Sequence, residues 1–145
     1  MNAMASNQSE VQALMERRSE AMRLKDIDRL MSVYSSDVVY FDLVPPLRYA
    51  GAPALRLRFL DWFGRWKSPI GQEIKDLTVL ANEDLAAAHM LIRASGTLKG
   101  GQEVGYWLRT TDLCRRSDRG WVIAHEHVSL PVDMKSGLAV LDLVP

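Results

Sequence analysis

One cysteine in 145 residues leaves no internal disulfide to form, and a lone thiol suits a reducing compartment. Cys114 falls in a β-type stretch with no metal-ligand spacing around it, which reads as a packed thiol rather than a nucleophile. Net charge is absent too: 18 basic and 18 acidic side chains are interspersed along the chain. Nucleic acid and anionic membrane both call for a concentrated basic patch, so neither is expected as a partner. No apolar run approaches the roughly 20 residues that span a bilayer. Met1 to Ser9 lacks the basic and apolar regions of a signal peptide, as expected of a cytoplasmic protein. There is no Gly-x-Ser-x-Gly elbow and no phosphate-loop or dinucleotide fingerprint, so no cofactor is expected.

What remains is the pattern of a single domain. Residues 1–9 read as a flexible lead-in and 10–145 as one folded unit. Ser9 and Gln12 form a capping-box signature ahead of Val11, Leu14, Met15, Ala21 and Met22 at helical spacing. Arg18 sits inside that apolar stripe, where a charge needs an acid or an exit to water. A short second helix follows Asp26 or Asp28, and Asp37 to Asp42 reads as a strand. Pro45-Pro46 ends it, and a third helix runs from about Pro53 to Trp66 with Leu55, Phe59, Trp62, Phe63 and Trp66 as its stripe. From Gln72 the period changes to two: 72–80, 85–97, 103–116 and 121–129 read as strands joined by short polar turns. Three helices followed by an antiparallel meander make an α+β arrangement, with helices covering one face of the sheet. The apolar tail from Met134 to Pro145 is expected to pack on its own sheet or on a partner subunit.

Histidine is scarce, and its placement draws the eye. Two of three, His125 and His127, alternate with Trp121, Ile123 and Ser129 on one face of the last long strand. With His89 they could in principle chelate zinc. Hydrogen-bonded pocket lining is the better reading, and no metal is expected. Acid–base chemistry has a stronger basis. Asp42 ends a strand beside Tyr40 and a proline loop, where partial desolvation would suit a general base. It could equally cap the loop or pair with Arg48 or Arg18. Whether Trp107, Arg109 and Thr111 or Leu108, Thr110 and Asp112 share the histidine face depends on the hairpin at Ser117 to Gly120. A three-residue loop gives the first set; a four-residue turn gives the second and sets Asp112 opposite His125.

Particular strings carry a family resemblance. Tyr40-Phe-Asp-Leu-Val-Pro-Pro-Leu-Arg-Tyr-Ala-Gly51, Ser95-Gly-Thr-Leu98, Trp107-Leu-Arg-Thr-Thr-Asp112 and Gly120-Trp-Val-Ile-Ala-His-Glu-His-Val-Ser-Leu-Pro131 span most of the chain. The sequence resembles the SnoaL-like, ketosteroid-isomerase-like proteins of the nuclear transport factor 2-like superfamily. The resemblance implies a conical α+β barrel: three N-terminal helices packed in a strongly bent antiparallel sheet enclosing a pocket. It also implies a homodimer through the open sheet face. Against the steroid isomerases, Asp42 falls at the catalytic base and Asp112 near the oxyanion-stabilising acid. Arg18 stands where they have a tyrosine. Steroid isomerisation is therefore not expected. The expected candidates are Asp42, His125, His127, Asp112 and Arg109 for catalysis and Tyr40, Trp62, Trp107, His89 and Arg18 for binding a small apolar molecule. Three readings stay open: a cofactor-independent isomerase, cyclase or dehydratase, a ligand-binding protein, or a dimeric scaffold.

Overall fold

The structure is a computed structural model that describes residues 3–145. Helix α1 spans Ala3–Arg23 and so begins six residues ahead of Ser9. Tertiary contacts explain the early start: the Asn7 side-chain amide donates to Asn82 O at 3.1 Å and Gln8 Nε2 to Val79 O at 3.3 Å. Residues 3–9 are thus helical rather than a loose lead-in. The expected stripe is the buried one, with Val11, Leu14, Met15, Ala21 and Met22 almost wholly out of solvent and Arg18 among them. Helix α2 (Ile27–Met31) is capped by Asp26, whose side chain accepts from Arg29 N. Helix α3 (Ala52–Phe63) starts after Gly51 with Pro53 in its first turn, and buries Leu55, Phe59 and Phe63.

The strands are β1 (Tyr34–Phe41), β2 (Tyr49–Ala50), β3 (Gly71–Ala81), β4 (Leu85–Thr97), β5 (Glu103–Ser117), β6 (Gly120–Ser129), β7 (Val132–Asp133) and β8 (Leu138–Ala139). Six form one sheet in the order β2-β1-β6-β5-β4-β3. The meander β3 to β6 is antiparallel, as its short turns require, but β1 joins β6 in parallel. The sheet therefore bends around the helices without closing. Gly96 lies in β4 with φ +152°, and a Cβ there would stand 2.5 Å from Ser68 Oγ and 2.8 Å from Pro69 O, so only glycine allows this close crossing. β7 and β8 make a small separate hairpin, its ladder extended by Val140 N donating to Pro131 O at 2.9 Å. Beyond it Leu143 and Val144 remain exposed.

One irregularity decides which side chains face the helices. The β5–β6 hairpin closes with Ser117 paired to Gly120 and Asp118-Arg119 between them, which is the four-residue turn of the two alternatives expected from sequence. Pairing then runs Cys114 with Ile123 but Leu113 with His125, leaving Ala124 as the extra residue of a β-bulge. An extra residue inverts the alternation. Trp121 and Ile123 face the core before the bulge; Glu126 and Val128 do so after it. The expectation that Trp121, Ile123, His125, His127 and Ser129 share one face fails at Ala124.

Candidate functional site

A cavity of about 430 Å³ opens between α1, α3 and the inner face of the sheet. Met22, Phe59, Trp62, Ile92, Leu108 and Val128 give it apolar walls; Arg18, Tyr40, Asp42, Arg58, Gln72 and Tyr106 supply the polar groups. Tyr40 and Asp42 reach it because alternation along β1 places Val38, Tyr40 and Asp42 on the helix-facing side. Tyr40 packs edge-on against Phe59, their ring centroids 5.5 Å apart.

Asp42 is held from two directions. Its Oδ1 accepts the Leu43 amide at 2.6 Å, so it caps the proline loop. Its Oδ2 accepts from Arg58 Nε, also at 2.6 Å, in a pair whose side chains are 14% and 9% exposed. The partner is thus Arg58 on α3, not Arg48 or Arg18. Each carboxylate oxygen keeps one further lone pair for a ligand.

Arg18 has a different partner. Its Nε and Nη2 donate side-on to Glu126 Oε2 and Oε1, both at 2.8 Å. Tyr34 completes the cluster, its hydroxyl accepting from Arg18 Nε at 3.2 Å and donating to Glu126 Oε1 at 2.8 Å. Burial opposes the guanidinium's charge, and the Glu126 carboxylate more than restores it, so the Arg18 pKa stands above its ordinary value. Burial likewise pushes Glu126 up, but Arg18 and hydrogen bonds from Asp112, Arg18 and Tyr34 outweigh it and hold the carboxyl below its usual range. Arg18 Nη1 is left over. It is buried, has no hydrogen-bond partner among the described residues, and belongs to a residue that lines the cavity. Such an unmet donor costs about 1–3 kcal/mol until something accepts from it.

Asp112 lies across the sheet from Glu126, the two Cα positions directly paired. Among the described residues no donor meets either Asp112 oxygen, so an ionised Asp112 beside Glu126 would be compensated only by the Arg18 charge. Burial and the Glu126 charge raise its pKa well above the carboxylate range. The stable arrangement is a neutral Asp112 whose own proton is shared with Glu126. The linkage follows. A raised carboxyl pKa leaves stability intact below the unfolded Asp value near pH 3.9. Above it, stability falls by about 1.4 kcal/mol per pH unit until the folded pKa is reached. Asp112→Asn mimics the neutral form. Urea unfolding between pH 4 and 9 is expected to show a flatter alkaline limb for this variant, with equal or greater stability at pH 8.

The structure separates the remaining candidates from this cavity. Arg109 pairs with Ser129 and Thr111 with His127, so they share the histidine side of the sheet. That is the side away from the cavity. His125 Nδ1 lies 2.7 Å from Val39 O, which accepts only, so that nitrogen carries the proton. Phe41 sits between the two imidazoles, its centroid 4.7 Å from His125 and 5.3 Å from His127. Arg109 Nε donates to Ser129 Oγ at 3.0 Å on the same surface. His89 pairs with Thr111, which pairs with His127, so these three form one row across the outer face. Trp107 also alternates to that face. No group of three or more His, Cys, Asp or Glu among the described residues is arranged to hold a metal ion. Glu126, Arg58 and Tyr106 escaped the sequence reading. The signal for Glu126 was Arg18's need for an acid, but unbroken alternation put Glu126 on the outside.

The fold and this pocket define a class. The SnoaL-like domain family matches residues 11–133, and the chain belongs to that family. An NTF2-like protein of unknown function from Pseudomonas putida KT2440 is 33% identical, covering 97% of this chain and 98% of that one with a TM-score of 0.88. A ketosteroid isomerase-like protein from Erwinia carotovora atroseptica SCRI1043 is 22% identical, covering 85% and 95%, with a TM-score of 0.74. A protein of unknown function with a cystatin-like fold from Nostoc punctiforme PCC 73102 is 14% identical, covering 90% and 96%, at 0.73. The last two likenesses are of fold alone. No curated protein matches the chain. Among the described residues no helix is long and apolar enough to cross a membrane.

Proposed function

We propose that this protein binds a small, mostly apolar carbonyl compound and moves a proton on it without a cofactor. The observation that supports this is one cavity lined by both Asp42 and Arg18, whose buried Nη1 has no hydrogen-bond partner among the described residues. In this reading the ligand oxygen accepts from Arg18 Nη1. Asp42 takes a proton from the carbon beside the carbonyl, and the electron pair moves onto that oxygen. Return of the proton to a different carbon is an isomerisation; where a β-hydroxyl instead takes the proton from Asp42 and departs as water, the enolate electrons forming the new C=C bond, the step is a dehydration. Asp112 acts indirectly: its proton on Glu126 helps hold the carboxylate that orients Arg18. His125, His127 and Arg109 take no part, because they lie on the far side of the sheet. Pairing of two copies through that outer face is the natural role for it in an NTF2-like fold.

Arg18 is already neutralised by Glu126, so it offers a hydrogen bond more than a net charge. A neutral carbonyl fits such a site better than a carboxylate, which would bring an unbalanced charge into the wall. Calorimetric titration with 2-acetylnaphthalene and 2-ethylnaphthalene checks this. The ketone is expected to bind about fivefold to tenfold tighter, the worth of one buried hydrogen bond. Replacing the pair with Arg18→Met and Glu126→Leu together should erase the difference. Retained preference in that variant would remove Arg18 from the binding site.

A second reading, ligand binding without turnover, is favoured by the Arg58–Asp42 ion pair, which competes for the proposed base. Under it the ketone preference stands while proton exchange is absent.

A further inference from the structure

A second cavity, also about 430 Å³, lies past the end of α3, bounded by Trp62, Trp66, Leu98, Val104, Tyr106 and Leu141, with Arg65 and Glu103 as its charged residues. Trp62, Arg65 and Tyr106 line both cavities, so the two share a partition. The proposed proton-transfer chemistry uses nothing beyond that partition. Trp66 is what sets the second cavity apart. It is only 2% exposed, and its indole Nε1 is buried with no hydrogen-bond partner among the described residues. An indole N–H donates only, and buried tryptophans ordinarily find an acceptor for it. The ring is fixed on several sides. Trp62 meets it edge-on at 5.8 Å, its backbone bridges Leu98, and its carbonyl accepts from Lys25 Nζ at 3.0 Å. Gly96 leaves room for it, since a Cβ there would stand 3.2 Å from Trp66 Cε3. The donor therefore has little freedom to turn toward a protein acceptor.

We propose that this second cavity is a binding site for a ring-sized apolar group carrying one hydrogen-bond acceptor, which Trp66 Nε1 engages. The apolar walls supply the burial, and the single unmet donor supplies the selectivity. Leu141 sets the outer boundary. It belongs to the segment after β8 and is half-exposed, so it covers the cavity without filling it.

Indole N–H resonances of the ¹⁵N-labelled full chain, which holds four tryptophans, read this directly. Acetophenone and ethylbenzene serve as probes, being matched in size and differing in the carbonyl. The Trp66 signal, assigned by its loss in Trp66→Phe, is expected to move downfield on titration with acetophenone. Acetophenone should bind about fivefold tighter than ethylbenzene at this resonance. Val104→Phe narrows this cavity and not the first, and should suppress the Trp66 shift while shifts from the first cavity persist. Leu141→Trp, at a half-exposed position, repeats the test should Val104→Phe fail to fold. The proposal is overturned if acetophenone leaves the Trp66 signal in place up to its solubility. Equal binding of the two probes at that resonance, or an undiminished Trp66 shift in a folded cavity-filling variant, overturns it as well.

Discussion

Glu126→Ala is expected to destabilise the fold by about 3–5 kcal/mol, more than any other single truncation in the sheet's polar interior. Glu126 is wholly buried and accepts from Arg18 through both oxygens and from Tyr34 through one. Removing it strands a guanidinium that is itself 3% exposed, beside an Asp112 whose own ionisation burial opposes. Replacing both ends, Arg18→Met with Glu126→Leu, removes the charge and its partner together. That variant should lie within about 2 kcal/mol of wild type or above it, because well-packed apolar residues often match a buried ion pair. Urea unfolding at pH 7 compares them. Acid sharpens the contrast. Glu126 has a lowered pKa, so its contribution is complete above the unfolded value near 4.3 and fades as pH falls through the folded one. The double variant should lack that acid limb. A Glu126→Ala protein as stable as wild type would mean that Arg18 finds water or another acid.

Local signals were strong where the pattern was regular. The stripe on α1, the proline start of α3 and the four long strands were legible because each shows its period over most of its length, even where β3 and β6 carry an irregularity. Arg18 was recognisable as a misfit in an apolar stripe for the same reason. Its partner was not legible, because a single bulge at Ala124 resets the face of everything after it. With a two-residue hairpin and no bulge, Asp112 would stand opposite His125. The extra residue moves it to Glu126 and turns both histidines outward. No residue type marks that bulge: Ala124 is neither glycine nor proline. The Arg58–Asp42 pair joins residues on different elements, and only the packing of α3 against β1 brings them together. The start of α1 was missed since the Ser9 capping signal is overridden by contacts from Asn7 and Gln8 to distant carbonyls. The second cavity was beyond reach, because Trp66 looks in sequence like one more residue of an apolar stripe.

Asp42 carries the other large expectation. In the proposed reading, Asp42 and Arg18, which line the same cavity, supply the base and the donor for the ligand oxygen that α-proton abstraction requires. The ion pair of Asp42 with Arg58 fixes the carboxylate's direction and leaves a lone pair on each oxygen. Asn at this position keeps an oxygen for the Leu43 amide and much of the side chain's shape, but has no basic carboxylate. General-base catalysis is worth about 10²–10⁴-fold, so the loss should approach that range. Stability should fall by about 1–3 kcal/mol, because Arg58 loses its carboxylate and keeps only Asp61 at 3.6 Å.

The measurement that tests the account most directly is loss of the protons beside the carbonyl of 2-acetylnaphthalene and of small cyclic ketones in D₂O. Proton NMR would follow wild type and Asp42→Asn side by side. The account predicts exchange well above the buffer rate with wild-type protein and a fall of about 10²-fold or more with Asp42→Asn, at unchanged ketone affinity. Equal exchange by the two proteins, or wild-type exchange no faster than buffer for every ketone that binds, would contradict it.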